Sequence, residues 1–179
     1  MRKCLIYPCR EVKLDTMTKE WEIYRIGSPL GTLLLEFHRG ALVACRPVEA
    51  DPEIPEEPPS PEAKQALREL DEYFSGTRRC FSVRIDAAGT PFQLAVWAAL
   101  RRIPYGEVRT YGEIARMIGN PKAVRAVGGA CHANPCPIFT PCHRVVAANG
   151  PGGFGGGLEA KRKLLALETG EDAPFGFKW

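Results

Sequence analysis

The chain has 179 residues, of which 45% are hydrophobic and 25% charged, with a formal net charge of +3. The length is typical of one domain or two small ones, and the composition is typical of a globular protein. No apolar run approaches the roughly 20 residues that a membrane-spanning helix needs. Pro8 interrupts the basic N-terminus, which is untypical of a signal peptide. We expect no membrane partner and a cytoplasmic location, or a nuclear one if the source is a eukaryote.

Charge is unevenly distributed along the chain. Residues 87–179 carry 11 Lys and Arg against 6 Asp and Glu, whereas residues 1–86 carry 13 against 15. Either the basic second half meets a polyanion, or the difference is chance scatter of surface charge.

Seven cysteines, an odd number, are expected to be thiols in a reducing compartment. Cys45 and Cys80 lie beside apolar, β-prone residues, so we predict both in strand cores. A disulfide between Cys4 and Cys9 is a less favoured alternative.

The first half of the chain has the pattern of an antiparallel meander. Short β-prone runs over residues 21–26, 32–37 and 41–45 are separated by turn sequences, and residues 81–85 predict one more strand. Residues 47–61 contain six prolines and five acidic residues, which is typical of a solvated, extended connection.

A helix follows this connection. Ser60 is the predicted N-cap, the helix runs to residue 75, and Gly76 ends it. Its predicted apolar face consists of Ala63, Leu67, Leu70 and Phe74.

The second half is predicted to be mostly helical. One helix begins at Thr90-Pro91, ends at residue 100 and has an apolar face of Phe92, Val96 and Leu100. A T-x-x-E capping box opens a helix over 111–118, and a second helix from 120 to about 131 completes a helix-turn-helix at about 110–131. A last helix covers 158–169. We expect an α+β chain with domains at 1–88, including the connection, and at 89–179.

The second helix of this pair carries few long side chains. Its sequence over 121–130, PKAVRAVGGA, has two adjacent glycines, each of which costs roughly 1 kcal/mol relative to alanine in a helix. A major-groove reader needs long polar side chains, so a smooth helix with Arg125 alone at its centre fits the narrow minor groove. The alternative is a small-residue helix packed against a neighbour.

Cys142 is the predicted nucleophile. Prolines at 135, 137 and 141 make its segment extended and rigid, which suits a cysteine held in fixed geometry. A cysteine reacts as thiolate and needs a nearby base. His143 is adjacent, but successive side chains of an extended backbone point to opposite faces, so a relay through a bound water is easier than a direct ion pair. Glu168 is a candidate to orient the imidazole.

The run GNPKAVRAVGGA at 119–130, Asn134-Pro135, and PCHRVV at 141–146 together resemble the O6-alkylguanine-DNA alkyltransferases. The resemblance is strong over about the last ninety residues and loose over the first domain. It implies a ribonuclease H-like first domain, with a small antiparallel sheet and a helix, and a mostly helical second domain with a winged helix-turn-helix. It also implies stoichiometric, irreversible transfer of an alkyl group to Cys142.

The resemblance implies a role for each matching residue. His143, Glu168 and Asn134 would activate and brace the thiol, and Tyr111 would help to rotate the nucleotide and protonate the leaving guanine. Arg125 would fill the vacated base stack. The other implied DNA contacts are Lys122, Ala123, Ala126 and Gly128. The implied substrate pocket consists of main-chain groups of Cys142 and Val145, with Cys131, Pro137, Phe154 and Gly155.

The resemblance further implies a monomer that acts on double-stranded DNA containing O6-alkylguanine, and also O4-alkylthymine, without a cofactor. Two positions depart from the family. Phe154-Gly155 stands where the family usually has Tyr-Ser, which removes two hydroxyls. The zinc site of some members' first domains is not evident, because His38 is the only histidine there.

Three other interpretations are possible for these residues. A cysteine hydrolase needs a separate, oriented histidine, and only His38 and His132 remain. A zinc module would use the Cys and His residues between 131 and 143, but their spacing misses the usual C-x2–4-C pattern. An alkyltransferase-like binding protein would carry tryptophan at the position of Cys142.

Overall fold

The computed structural model describes residues 20–48, 59–171 and 174–177. Most of the proline-rich connection and the Cys4–Cys9 pair therefore lie outside the described residues. The α+β architecture is confirmed: a three-stranded antiparallel sheet comes first, and helices follow.

The sheet is the predicted meander, with strands β1 (Trp21–Ser28), β2 (Gly31–His38) and β3 (Ala41–Pro47) in the order β1-β2-β3. The register pairs Leu35 with Tyr24 on one side and with Cys45 on the other. Cys45 is fully buried, as predicted. Its N–H donates to the Pro135 carbonyl at 2.8 Å, which ties the sheet to the segment that leads to Cys142.

Helix α1 (Pro61–Phe74) begins where the sequence predicts, with the Ser60 hydroxyl accepting from the Ala63 N–H, and its C-cap is Ser75. The predicted apolar face packs against the core, and Ala63 and Leu70 are fully buried as predicted, but the most buried side is shifted by one position. Leu67 and Phe74 are only partly buried, and the buried face consists of Ala63, Ala66, Glu69, Leu70 and Tyr73. Because the buried side is shifted by one residue, Tyr73 is fully buried.

The predicted strand over 81–85 is absent from the described residues. Ile85 forms one isolated parallel bridge with Leu42, while Phe81 and Val83 pack against the core without a strand ladder. Cys80, predicted in a strand core, is exposed. Packing of alternate side chains against the core does not supply backbone partners, and sheet pairing needs them.

The helical part contains α2 (Pro91–Leu100), α3 (Tyr111–Met117), α4 (Val124–His132) and α5 (Leu158–Thr169). Strands β4 (Arg109–Thr110) and β5 (Val145–Val146) form a short parallel pair, and 3-10 turns occur at Cys142–Arg144 and Pro174–Gly176. Both predicted capping residues, Thr90 and Thr110, form complete capping boxes. In α2, Val96 and Leu100 are buried as predicted, together with Trp97 and Ala99, whereas Phe92 is only partly buried.

The helix-turn-helix is formed by α3 and α4, and its turn is longer than predicted. Residues 120–123 are turn rather than helix, so Lys122 precedes α4 and Ala123 is its N-cap. Gly119, with φ of +73°, ends α3 in the left-handed region that glycine tolerates. Ala123 has no side-chain oxygen, and α4 begins without a side-chain capping hydrogen bond. The Trp97 indole N–H donates to the Ala130 carbonyl at 2.9 Å and joins α2 to α4.

Candidate active site

Cys142 opens the 3-10 turn that follows the proline-rich segment, and its side chain lies at the floor of a cavity of about 280 Å³. The residue is only 6% exposed, so a substrate reaches it through this cavity. Both halves of the chain line the cavity. The lining residues are Ala44, Cys45, Arg46, Pro47, Cys131, His132, Asn134, Pro135, Pro137, Cys142, Phe154, Gly155 and Gly156.

Asn134 holds the thiol. Its Nδ2 donates to the Cys142 Sγ at 3.2 Å and to the Thr140 carbonyl at 2.8 Å, and its Oδ1 accepts from the Cys136 N–H at 3.1 Å. Three bonds fix the orientation of the amide, so a donor is always aimed at the sulfur. A hydrogen bond to sulfur favours the thiolate as it forms.

His143 lies behind the cysteine, fully buried, with its Nε2 2.7 Å from the Glu168 Oε1. An ionised carboxylate only accepts hydrogen bonds, so Nε2 carries the proton and Nδ1 is left with a lone pair. That Nδ1 is the one buried side-chain nitrogen or oxygen in the described residues without a hydrogen-bond partner. The imidazole is therefore held as the tautomer that can accept a proton on Nδ1.

Glu168 is the centre of a buried network. Arg144 donates from Nε to Oε2 and from Nη2 to Oε1, both at 2.9 Å, and from Nη1 to the Ile103 carbonyl at 2.7 Å. The Tyr73 hydroxyl donates to Oε1 at 2.6 Å, and the Gly106 N–H donates to Oε2 at 3.0 Å. Both oxygens of the carboxylate therefore accept hydrogen bonds from protein groups.

These contacts set the ionisation of the site. Burial would raise the pKa of Glu168, but hydrogen bonds from His143 and Arg144 and the charge of Arg144 hold it well below its usual value. Burial lowers the pKa of His143 against the pull of Glu168, which leaves the imidazole neutral at neutral pH. Burial also raises the pKa of Cys142, although Asn134 and Lys161 oppose this. At rest the site holds a thiol, a neutral imidazole and a carboxylate.

Lys161 supplies a buried positive charge near the sulfur. Its Nζ donates to the carbonyls of Val145 and Gly153, at 3.2 Å in the second case, and burial lowers its pKa to about 8. Its charge favours the ionised form of Cys142. Three of the residues in this site, Lys161, Arg144 and Tyr73, received no role from the sequence.

Signals for two of them were present. Arg144 is part of the PCHRV run, and Lys161 shares the buried face of α5 with Leu164, Leu165 and Glu168. Residues seven positions apart lie on the same face of a helix, so this spacing places Lys161 on the same face as Glu168. Tyr73 had no usable signal, because it lies outside the predicted apolar face of α1 and its partner Glu168 is 95 positions away along the chain.

The predicted pocket residues are mostly at the cavity. Cys131, Pro137, Phe154 and Gly155 line it. Val145 does not line it: this residue is fully buried, its N–H donates to the Cys142 carbonyl, and its own carbonyl accepts from Lys161. The Cys142 N–H donates to the Thr140 carbonyl at 2.8 Å.

Tyr111 packs in the same hydrophobic cluster as Cys142, and α4 passes close to its ring. The Tyr111 hydroxyl accepts from the Gly153 N–H at 3.2 Å, and its ring packs with Cys131 and Cys142 in one hydrophobic cluster. Arg125 is exposed on the first turn of α4, as are Lys122 before it and Ala126 after it. Gly128 approaches Tyr111: a Cβ there would meet its ring at 3.9 Å.

Within the described ranges, no group of three or more His, Cys, Asp or Glu side chains is placed to hold a metal ion. His38 instead stacks on Trp21, with ring centroids 4.7 Å apart. The same part of the chain has no helix long and apolar enough to span a membrane.

A cysteine backed by a histidine–glutamate pair, at the floor of a cavity beside a helix-turn-helix, defines a DNA-binding protein that uses a cysteine nucleophile. Sequence comparison agrees, because the family model described as "6-O-methylguanine DNA methyltransferase, DNA binding domain" matches residues 91–170. This chain belongs to the methylated-DNA–protein-cysteine methyltransferase family, the DNA repair proteins that reverse damage by transferring an alkyl group to a cysteine.

Relatives support this membership over most of the chain. The methylated-DNA–protein-cysteine methyltransferase of Mycobacterium tuberculosis is 48% identical over 147 residues, which is 80% of this chain and 89% of the relative. That of Methanosarcina acetivorans is 55% identical over 106 residues, 59% of this chain and 68% of the relative. A crystal structure of M. tuberculosis OGT in complex with DNA superposes with a TM-score of 0.74 at 46% identity, covering 85% of this chain and 94% of the other.

Proposed function

We propose that Cys142 is the alkyl acceptor of this protein and that its substrate is O6-alkylguanine in double-stranded DNA, with O4-alkylthymine as a second substrate. The observation that carries this proposal is the thiol held by Asn134 at the cavity floor, with the neutral His143 behind it. The other cysteines within the described ranges form no such hydrogen bond with an asparagine amide. Burial raises the pKa of Cys131, in the same cavity, and that of Cys136 each to about 12.

The reaction begins with removal of the thiol proton. His143 Nδ1 takes it through a bound water, while Nε2–H stays bonded to Glu168. The imidazolium that forms lies against an ionised carboxylate, and the thiolate is stabilised by Asn134 and by the charge of Lys161. Each new charge therefore has a partner already in place.

The thiolate then attacks the alkyl carbon. A C–S bond forms, the C–O6 bond breaks, and guanine leaves with the electron pair of that bond. Tyr111 donates a proton to the departing base, and burial, which raises the pKa of this phenol, keeps the proton on it until then. The thioether product has no carbonyl for water to attack, so each molecule reacts once.

DNA approaches along α4. We assign Lys122, Ala123, Ala126 and Gly128 to backbone and minor-groove contact, and Arg125 to the space that the rotated nucleotide leaves. A smooth, exposed helix surface with one long cation suits a narrow groove better than base reading. We further propose a boundary between domains at 88/89, a monomer that acts without a cofactor, and a cytoplasmic location.

Mass spectrometry tests the acceptor. Incubation with an O6-methylguanine oligonucleotide should add one methyl group to the intact protein, and peptide mapping should place it on Cys142. A methyl group on Cys131 or Cys136, or repeated turnover by one molecule, would show that the assignment is wrong.

Arg125→Ala should slow repair of duplex DNA far more than reaction with free O6-benzylguanine. The arginine stabilises an extruded nucleotide, a cost of a few kcal/mol that a free base does not incur. Single-turnover rates at saturating DNA measure the effect. Lys122→Ala is the control: it should weaken binding in a salt-dependent way and leave the saturated rate unchanged. Equal losses with both substrates would make Arg125 a structural residue.

The double substitution Phe154→Tyr, Gly155→Ser should lower the ratio of benzyl to methyl transfer rates. It restores two hydroxyls at the cavity wall, and one neutral hydrogen bond is worth about 1 kcal/mol, roughly fivefold in rate. A Cβ at Gly155 meets no atom within 4 Å, so the serine is accommodated. Gly27→Ser is the control, since that position is equally open but does not line the cavity. An unchanged ratio would remove both positions from substrate selection.

A further inference from the structure

Tyr73 is far from the DNA-facing helices in sequence, yet it reaches the proton relay. It lies on the last turn of α1, fully buried. Its hydroxyl donates to the Glu168 Oε1 at 2.6 Å and lies 3.5 Å from the His143 Nε2. The same carboxylate oxygen, Oε1, therefore accepts a hydrogen bond from both the phenol and the imidazole.

Packing alone does not account for the hydroxyl. The ring of Tyr73 contacts Phe74, Phe81 and Tyr105 at centroid distances of 5.4, 5.3 and 6.1 Å, contacts that a phenylalanine would also make. Burial raises the pKa of Tyr73 well above its usual value, and the nearby charge of Glu168 adds to this, so the phenol remains a donor.

We propose that Tyr73 is a positioning residue for alkyl transfer, which shares Glu168 with His143 and so sets how strongly the carboxylate holds the imidazole proton. This inference rests on the proposed roles of Cys142 and His143. It also means that a helix of the first part of the chain influences, through Glu168, the reaction chemistry performed by the second part.

The physical reason is competition for one acceptor. A hydrogen bond from Tyr73 withdraws negative charge from Oε1 and weakens its pull on the Nε2–H of His143. Without that bond, Glu168 stabilises the imidazolium more strongly. The other charged or titratable groups around the imidazole are Arg144, Lys161 and, beyond Tyr73, Tyr105, and none of them changes in the variant.

The test is the pH dependence of alkyl transfer to Cys142, measured with a fluorescent O6-benzylguanine. In Tyr73→Phe the acid limb of the rate should move up by about one pH unit, roughly a tenfold loss of rate below the limb, with a smaller change on the plateau. Tyr105→Phe is the matched control, because its hydroxyl donates to the Leu167 carbonyl and not to the carboxylate. Its acid limb should not move.

A second arm remains informative if Tyr73→Phe folds poorly. Replacing Tyr73 with 3-fluorotyrosine makes the phenol a stronger donor, so the acid limb should move to lower pH. Nitrogen-15 NMR of the His143 imidazole should report the same shifts in protein that has never met a substrate. That readout persists even if Cys142 is not the acceptor, so the two proposals fail separately. Unmoved limbs in both Tyr73 variants, or a shift shared by Tyr105→Phe, would overturn the inference.

Discussion

Replacing Cys142 with alanine is expected to abolish alkyl transfer completely while leaving DNA binding intact. The substitution removes the only sulfur that Asn134 contacts in the described structure, and Asn134 keeps its bond to the Thr140 carbonyl. Loss of a nucleophile is the largest effect that one side chain can produce, because no bound group replaces it. Intact mass after incubation with an alkylated oligonucleotide measures transfer, and fluorescence anisotropy measures binding.

Two other cysteines provide the controls for this experiment. Cys131→Ala removes a thiol from the cavity wall and leaves the Cys142 thiol in place. Cys80→Ala removes an exposed thiol. Both variants should retain stoichiometric transfer. Residual transfer by Cys142→Ala, eliminated only when Cys131 is also replaced, would move the acceptor to Cys131.

Glu168→Gln is expected to destabilise the protein strongly as well as to slow transfer. The buried Arg144 guanidinium would lose its counter-charge, and breaking a buried ion pair on one side typically costs about 3–5 kcal/mol of unfolding free energy. Denaturant unfolding at neutral pH measures this cost. Glu159→Gln breaks the exposed pair with Arg162 on the same helix and should leave stability unchanged.

The pH dependence of stability gives the second signature of Glu168. Because folding lowers its pKa, the carboxylate contributes stability above its unfolded pKa of about 4.3, and this contribution is lost as the pH falls below that value. The natural protein should therefore lose stability in acid, and Glu168→Gln should lose less. Parallel pH profiles of the two proteins would mean that Arg144 does not depend on this carboxylate.

Local sequence signals predicted the elements whose ends are set by nearby residues. The helix openings at Thr90 and Thr110 and the end of α5 at Thr169 all lie where the sequence predicted them. Caps act within one helical turn, so a short stretch of sequence is sufficient to recognise them. The late start of α4 shows the limit: Asn120-Pro121 looks like a helix opening, but the chain turns for three more residues.

The sequence by itself determined the family and predicted the nucleophile in the PCHRV run, because both depend on residue identity and spacing along the chain. Only the tertiary structure decided which residues surround Glu168. Tyr73 is 95 positions from it and Arg144 is 24, and their hydrogen bonds exist because α1, the 3-10 turn and α5 pack together. A buried hydroxyl or guanidinium must find a partner, but which partner is fixed by packing between distant segments, and no local pattern records that choice.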